Sequence, residues 1–203
     1  MWNLELVKHV QELVKTDSLI LDADNPRFFG LRELKGRTNL SQKELMDELE
    51  KDTDLPTLKK SIRRSGVKDP IWVKLVNGSK FLVIEGNRRT HILRRLLEEN
   101  VKPRKGVRYD IVCANVMPSD TSETELLLQR VILQAGKKDW GAFNEAVATF
   151  DLRQKGLMEE EDIAAELQKS RREVRQRIDN YKIFLEFVNE TGFADPTKFS
   201  FFA

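Results

Sequence analysis

Two short stretches hold the side chains best placed to do chemistry. In FLVIEGNRRTHILRRLLEEN, residues Phe81 to Asn100, an apolar run ends in Glu85-Gly86-Asn87-Arg88-Arg89 just where a helical pattern begins. The first backbone N–H groups of a helix lack partners within it, and the aligned peptide dipoles make that end positive. Anions collect there, phosphate above all. Arg88 and Arg89 add positive charge where the dipole disfavours it, so something negative must compensate. The two readings are a bound phosphate, or pairing with Glu85, Asp24 or another carboxylate.

The second stretch is EEDIAAELQKSRREVRQRIDNYKIF, ending at Phe184. Ile163, Ala164 and Leu167 form an apolar edge, and Gln168-Lys169-Ser170 reads as a tight turn whose serine can cap the next helix. Val174, Ile178, Tyr181 and Leu185 recur at helical spacing and give that helix one buried stripe. This is the pattern of a helix-turn-helix, with small Ala164 allowing close crossing of the two helices. The outward face carries Arg171, Arg172, Arg175, Gln176 and Asp179. Arginine pairs with guanine edges or phosphates and glutamine reads adenine, so the face points to double-stranded DNA. Between Lys169 and Arg177 lie five basic residues and one acidic one. An ordinary helical hairpin with a solvated basic face is the bland alternative. Many such turns carry glycine where this chain has Gln168.

Composition sets the frame. The 203 residues suit one large or two small domains, and 40% hydrophobic with 33% charged residues describe a globular chain rich in surface charge. The net charge of +2 is too small to imply a polyanionic partner, so any nucleic-acid binding must rest on local charge. No apolar run reaches the roughly 20 residues of a membrane span, and the N-terminus does not read as a signal peptide. Cys113 is the single cysteine, expected to be a buried, inert thiol, and it rules out a disulfide within the chain. A cytoplasmic location is expected. His9 and His91 form no paired constellation, and no metal-ligand spacing appears. The candidate acid or base for an enzyme is Glu85, with Asp24. A nucleotide-dependent phosphotransferase or nuclease is therefore the alternative to a DNA binder. A docking protein using Trp72, Trp140 and the terminal phenylalanines is a third reading.

The elements that must position these residues follow from periodicity. Leu4, Val7, Val10 or Gln11, and Val14 predict an opening amphipathic helix. SLILDADNPRFFG reads as strand into turn. Ser41 with Glu44 predicts a capping box and a helix through about Glu50, and a second helix starts near Pro56. IWVKLVNGSKFLVIEG reads as a β-hairpin around Asn77-Gly78. The helix after Gly86 turns Ile92, Leu93, Leu96 and Leu97 toward a core, and YDIVCANVM is a further strand. From Pro118 onward only helices are predicted. The boundary falls in 118–122, giving an α/β domain over 1–118 and an all-α domain over 119–203, with the helix-turn-helix at about 159–185. The final FADPTKFSFFA looks exposed, as a docking tail or a chain cut short would be.

Taken in order, these motifs resemble ParB-type partition proteins. Gly86-Asn87-Arg88-Arg89 resembles that family's glycine-acidic-arginine-arginine box, DADNPR its Asn-Pro-Arg element, and LPTLKKSIRRSGVKDPIWV its helix, glycine turn and proline-led strand. LLLQR, AFNEAVATF and the helix-turn-helix match the order of its DNA-binding region, and the likeness covers roughly residues 17–188. It implies a ParB/sulfiredoxin-like fold and a bound nucleotide, CTP or ATP with Mg2+. Gly86, Arg88 and Arg89 would hold the phosphates, with Asn87, Arg27, Gly66 to Pro70, Gln129 and Arg130 lining the pocket. It also implies DNA contacts from Ser170, Arg171, Arg172, Arg175 and Gln176, a homodimer, a partition ATPase partner and association with the nucleoid. Three positions depart from the family. Asn87 replaces the acidic residue of the box, and Leu126 and Leu127 replace a Glu-Asn pair that helps hold nucleotide and metal. Leucine offers no oxygen to magnesium. Asn87 also stands where sulfiredoxins carry their cysteine, which excludes sulfinic-acid reduction by that thiol.

Overall fold

The computed structural model describes residues 8–28, 31, 40–134, 142–193 and 195–202. The chain divides into two compact units. One comprises Met1–Ala23 with Asn39–Thr121, the other Asp24–Thr38 with Ser122–Ala203.

The first unit is built on a sheet of β1 (Val10–Lys15), β2 (Leu19–Leu21), β3 (Ile71–Asn77), β4 (Lys80–Glu85) and β5 (Ile111–Met117), in the order β1-β5-β3-β4-β2. Neighbours run antiparallel for β1–β5 and β3–β4, and parallel for β5–β3 and β4–β2. The helices α1 (Gln42–Leu49), α2 (Leu55–Ser65) and α3 (Asn87–Glu98) complete the unit. Apolar side chains of α2 and α3, among them Leu55, Ile62, Ile92, Leu93 and Leu96, meet Ile71, Val73, Val83 and Val112 from the sheet in one core.

Local signals start these helices as the residue types require. Ser41 and Glu44 form a reciprocal capping box ahead of α1, and Pro56 sits in the first turn of α2. Gln42 extends the sheet by side-chain mimicry. Its amide accepts from Leu21 N at 2.7 Å and donates to Leu21 O at 2.9 Å, tying α1 to the edge strand β2.

Several expectations need correction. Val10–Lys15 is a strand, because it pairs along its whole length with β5 and satisfies that strand's otherwise open edge. Only Val14 of it is buried, while Val10 and Leu13 are 62% and 70% exposed. Leu4 and Val7, the rest of the predicted helix, lie outside the described residues. The hairpin closes one position later than the Asn-Gly pair suggests. Asn77 pairs with Lys80, leaving Gly78-Ser79 as the loop, and the ladder slips between Leu75 and Asn77. Gly78 takes φ 58°, which its missing Cβ permits. Leu97 sits at the edge of the α3 stripe and is exposed, and Cys113 is half-buried.

Both histidines contact other side chains of the unit. His9 packs its ring against the buried Trp72 at 4.5 Å. His91 is buried and bonds Glu50 Oε1 through Nε2 at 3.0 Å. Burial holds its pKa below the ordinary value, so a neutral imidazole makes this contact as a hydrogen bond and not as an ion pair at neutral pH.

Within its described residues the second unit is helical: α4 (Glu123–Gln134), α5 (Ala142–Gln154), α6 (Glu160–Glu166) and α7 (Arg171–Thr191), with 3₁₀ segments at Pro26–Phe28 and Pro196–Phe201. Its core has two parts. Leu127, Ala148 and Leu152 pack with Ile163, Ala164, Val174 and Ile178 around the α6–α7 pair. Phe143, Phe184 and Phe199 meet edge-to-face at 5.6–5.7 Å, a favoured aromatic geometry. The terminal phenylalanines thus serve this unit itself: Phe199 is buried and Phe202 packs on Phe184, while Phe201 is exposed. Trp140 lies outside the described residues.

Candidate anion site and nucleic-acid interface

Strand β4 ends at Glu85, and Gly86 caps α3 with φ 110° and ψ 16°. That left-handed conformation favours glycine. Space demands it as well. A Cβ on Gly86 would overlap Ile71 Cγ2 and lie 2.9 Å from Ile71 Cβ. The absent side chain lets α3 begin directly against the first residue of β3.

Around this turn the chain brings several of the expected residues together. Arg89 pairs with Glu85 and donates through Nη1 to Asp69 O at 2.5 Å, which ties it to the Gly66–Pro70 turn. Gly66 caps the end of α2 with φ 72°. Arg88 pairs with Asp52 at 3.3 Å. The compensating charge for both arginines is therefore carboxylate from the chain, with Glu85 as foreseen and Asp52 not singled out by the sequence. Asn87 is buried and structural. Its Oδ1 accepts from Asp22 N at 3.1 Å and its Nδ2 donates to Val83 O at 3.2 Å, holding the helix start to β2 and β4. An aspartate there could not donate to Val83, which gives the departure from the acidic box a local reason.

The other expected ligand residues lie in the second unit. Asn25 Oδ1 accepts from Arg27 N at 3.1 Å in a tight turn that leaves Arg27 exposed. Arg130 is buried, with Asp24 at 4.0 Å. Gln129 is 1% exposed, and neither Nε2 nor Oε1 has a hydrogen-bond partner among the described residues. A buried amide left unpaired costs about 1–3 kcal/mol. Leu126 and Leu127 are buried apolar side chains. They supply no oxygen for a cation, and no group of three or more His, Cys, Asp or Glu suited to a metal occurs among the described residues. The residues present do not fit a protein-held magnesium ion.

The second cluster surrounds the turn between α6 and α7. Lys169 N donates to Ala164 O at 2.9 Å and Gln168 N to Ala165 O at 3.3 Å, the paired bonds of a Schellman ending. Gln168 accordingly takes φ 53°, a conformation glycine would adopt without strain. Ser170 then caps α7 in a full capping box with Glu173. Val174, Ile178 and Tyr181 are buried, which leaves Arg171, Arg172, Arg175 and Gln176 exposed on the opposite face.

That basic face is met by acids the sequence reading did not weigh. Glu160 Oε2 accepts from Arg171 Nε at 3.1 Å and from Arg175 Nη2 at 2.9 Å, and Arg171 Nη1 also reaches Glu161 at 2.5 Å. Arg175 first, and Arg171 second, hold the Glu160 carboxyl below its ordinary pKa. Glu145 on α5 takes Arg177 at 2.6 Å and Lys169 at 3.4 Å. Among the described residues, Arg172 is the one basic side chain of the five with no ion pair.

The first unit is thus a mixed sheet with helices whose strand-to-helix turn presents two arginines, and the second a helical unit with a capped basic helix. Residues 37–124 match the family model described as the ParB N-terminal domain. No curated protein matches the chain. It is similar to the C-terminally truncated chromosome-partitioning protein ParB from Caulobacter crescentus complexed to the centromeric parS site. The identity is 19%, covering 84% of this chain and 71% of that one, with a TM-score of 0.47. For the same Caulobacter protein complexed with CTP-gamma-S the identity is 19%, the coverage 95% and 98%, and the TM-score 0.40. For the Pnob8-like ParB-N domain the identity is 11%, the coverage 95% and 79%, and the TM-score 0.54, a likeness that shows the fold.

Two substitutions test the geometry of these turns. Gly86→Ala combines left-handed strain with overpacking against Ile71 and should cost about 2–4 kcal/mol in denaturant unfolding. Ser170→Ala should cost about 1 kcal/mol through loss of the α7 cap, read in the same way.

Proposed function

We propose that this chain is a DNA-binding protein of the ParB kind, acting in partition or regulation, whose α/β domain takes a nucleotide by its phosphates at the Gly86–Arg89 turn. The observation that carries the reading is the match to the ParB N-terminal domain over residues 37–124, with two arginines at the start of the 12-residue α3. A phosphate there displaces Glu85 and Asp52 from Arg89 and Arg88. It offers more charge and more acceptor oxygens than a carboxylate, and the free amides of the helix end add to it. CTP is the nucleotide that the family resemblance implies, with ATP as the other candidate. The family resemblance also implies nucleotide contacts from Gln129 and Arg130. Magnesium enters no step, given the leucines at 126 and 127.

The α6–turn–α7 segment is assigned as a helix-turn-helix, with Ser170, Arg171, Arg172, Arg175 and Gln176 facing double-stranded DNA. Two copies of the chain on paired half-sites suit such a reader. The homodimer, a partition ATPase partner and a place at the nucleoid in the cytoplasm belong to the same proposal. Among the described residues no helix is long and apolar enough to cross a membrane. The phosphotransferase or nuclease alternative gains no support, since its candidate acid or base, Glu85, is held by Arg89.

Equilibrium binding of labelled CTP, ATP and GTP to wild type and Arg89→Ala tests the first assignment. One nucleotide, expected to be CTP, should bind, and Arg89→Ala should weaken it by about tenfold or more. A folded wild-type protein that binds none of the three ends the nucleotide reading. For the second assignment, Arg172→Ala should cost about 1–3 kcal/mol on a duplex that the wild type selects from a randomised pool. Unchanged affinity removes Arg172 from the interface.

A further inference from the structure

Glu160 differs from the other acids at the start of α6. Its side chain is 16% exposed, against 58% for Glu161 and 66% for Glu159. The two arginines it holds are 56% and 60% exposed, so the carboxylate lies beneath and the guanidinium groups face outward. Arg171 and Arg175 stand four residues apart, one helical turn, on the exposed face of α7. A single oxygen, Oε2, accepts from both. Arg175 gives Glu160 one Nη2 donor and keeps Nε and Nη1, enough for a bidentate contact elsewhere. Arg171 is gripped on two sides, by Glu160 and by Glu161.

Two consequences follow for a ligand meeting this face. A long arginine ordinarily loses much rotamer freedom on binding, and a side chain already held loses less. The same carboxylate offsets positive charge that would otherwise draw any DNA backbone irrespective of sequence. Both effects favour base contacts over phosphate contacts. We propose that Glu160 is a specificity-determining positioning residue. It holds Arg171 and Arg175 ready to read bases and suppresses their sequence-independent attraction to phosphate. This inference rests on the DNA-binding reading given above.

The test uses the whole chain and two duplexes of equal length, one selected by the wild type from a randomised pool and one of random sequence. Glu160→Gln keeps the shape and removes the charge. It should lower the ratio of selected to random affinity by about tenfold or more, while random-duplex affinity stays equal or rises and its salt dependence steepens. In an Arg175→Ala background most of that loss of ratio should vanish, because the positioned group is gone. A Glu160→Gln protein with an unchanged ratio overturns the inference alone. So does an equal fall in affinity for both duplexes, which marks a merely structural role. A wild type that selects no duplex overturns the DNA-binding reading itself, and the inference with it.

Discussion

Gly86 lies beneath Ile71 with φ near 110°, and any larger residue would drive its Cβ into the first side chain of β3. Three features of the α/β unit depend on that close approach. The helix α3 begins at once after β4, which puts its unpaired amides beside the strand end. Ile71 follows the Gly66–Pro70 turn directly, so Asp69 O comes within reach of the Arg89 guanidinium. The next residue, Asn87, is carried inward, where its amide pins β2 and β4 to the helix start. A chain that opened this turn would lose the anion-seeking helix end, the arginine anchor and the buried amide together.

The two arginine-rich clusters share one electrostatic design and differ in depth. Arg88 and Arg89 have side chains 22% and 15% exposed and are matched by Asp52 and Glu85. Separating such half-buried partners without a replacement is costly, because a charge is left poorly solvated. Under the nucleotide proposal, exchange of the carboxylates for a phosphate avoids that cost. Arg171 and Arg175 are more than half exposed, and pairs of that kind are worth about 0–1 kcal/mol. Each guanidinium keeps donors beyond the one given to Glu160, so a carboxylate tunes that face without closing it. The same residue type is thus paired at depth in one unit and near the surface in the other.

Much of this was readable from local pattern. The Ser41/Glu44 box, proline near the start of α2, the hairpin and the alternating burial of α7 each follow from contacts made within a few residues, and those are what sequence spacing encodes. The reading also placed the glycine at a strand-to-helix turn and asked for negative charge beside its arginines. Ser122 and Glu125 form a further capping box ahead of α4, with Ser122 N donating to Glu125 at 2.7 Å. Its Ser-x-x-Glu signal is present in the sequence. Val10–Lys15 went the other way, since its apolar spacing suits a helix and only the open edge of β5, a hundred residues away, makes it a strand.

By itself the sequence determined which residues begin and end the elements, which faces are apolar and where basic side chains crowd, because each is a matter of bonds and periodicities spanning a few residues. It also carried, in order, motifs that resemble those of ParB-type proteins, departures included. Only the tertiary structure decided the partners. Asp52 for Arg88, Glu160 for Arg171 and Arg175, Glu145 for Lys169 and Arg177, and the unsatisfied state of the Gln129 amide all depend on which elements are brought side by side. Charge pairing acts over a few ångströms of space and ignores distance along the chain. Whether an arginine is held or left open is therefore settled by packing.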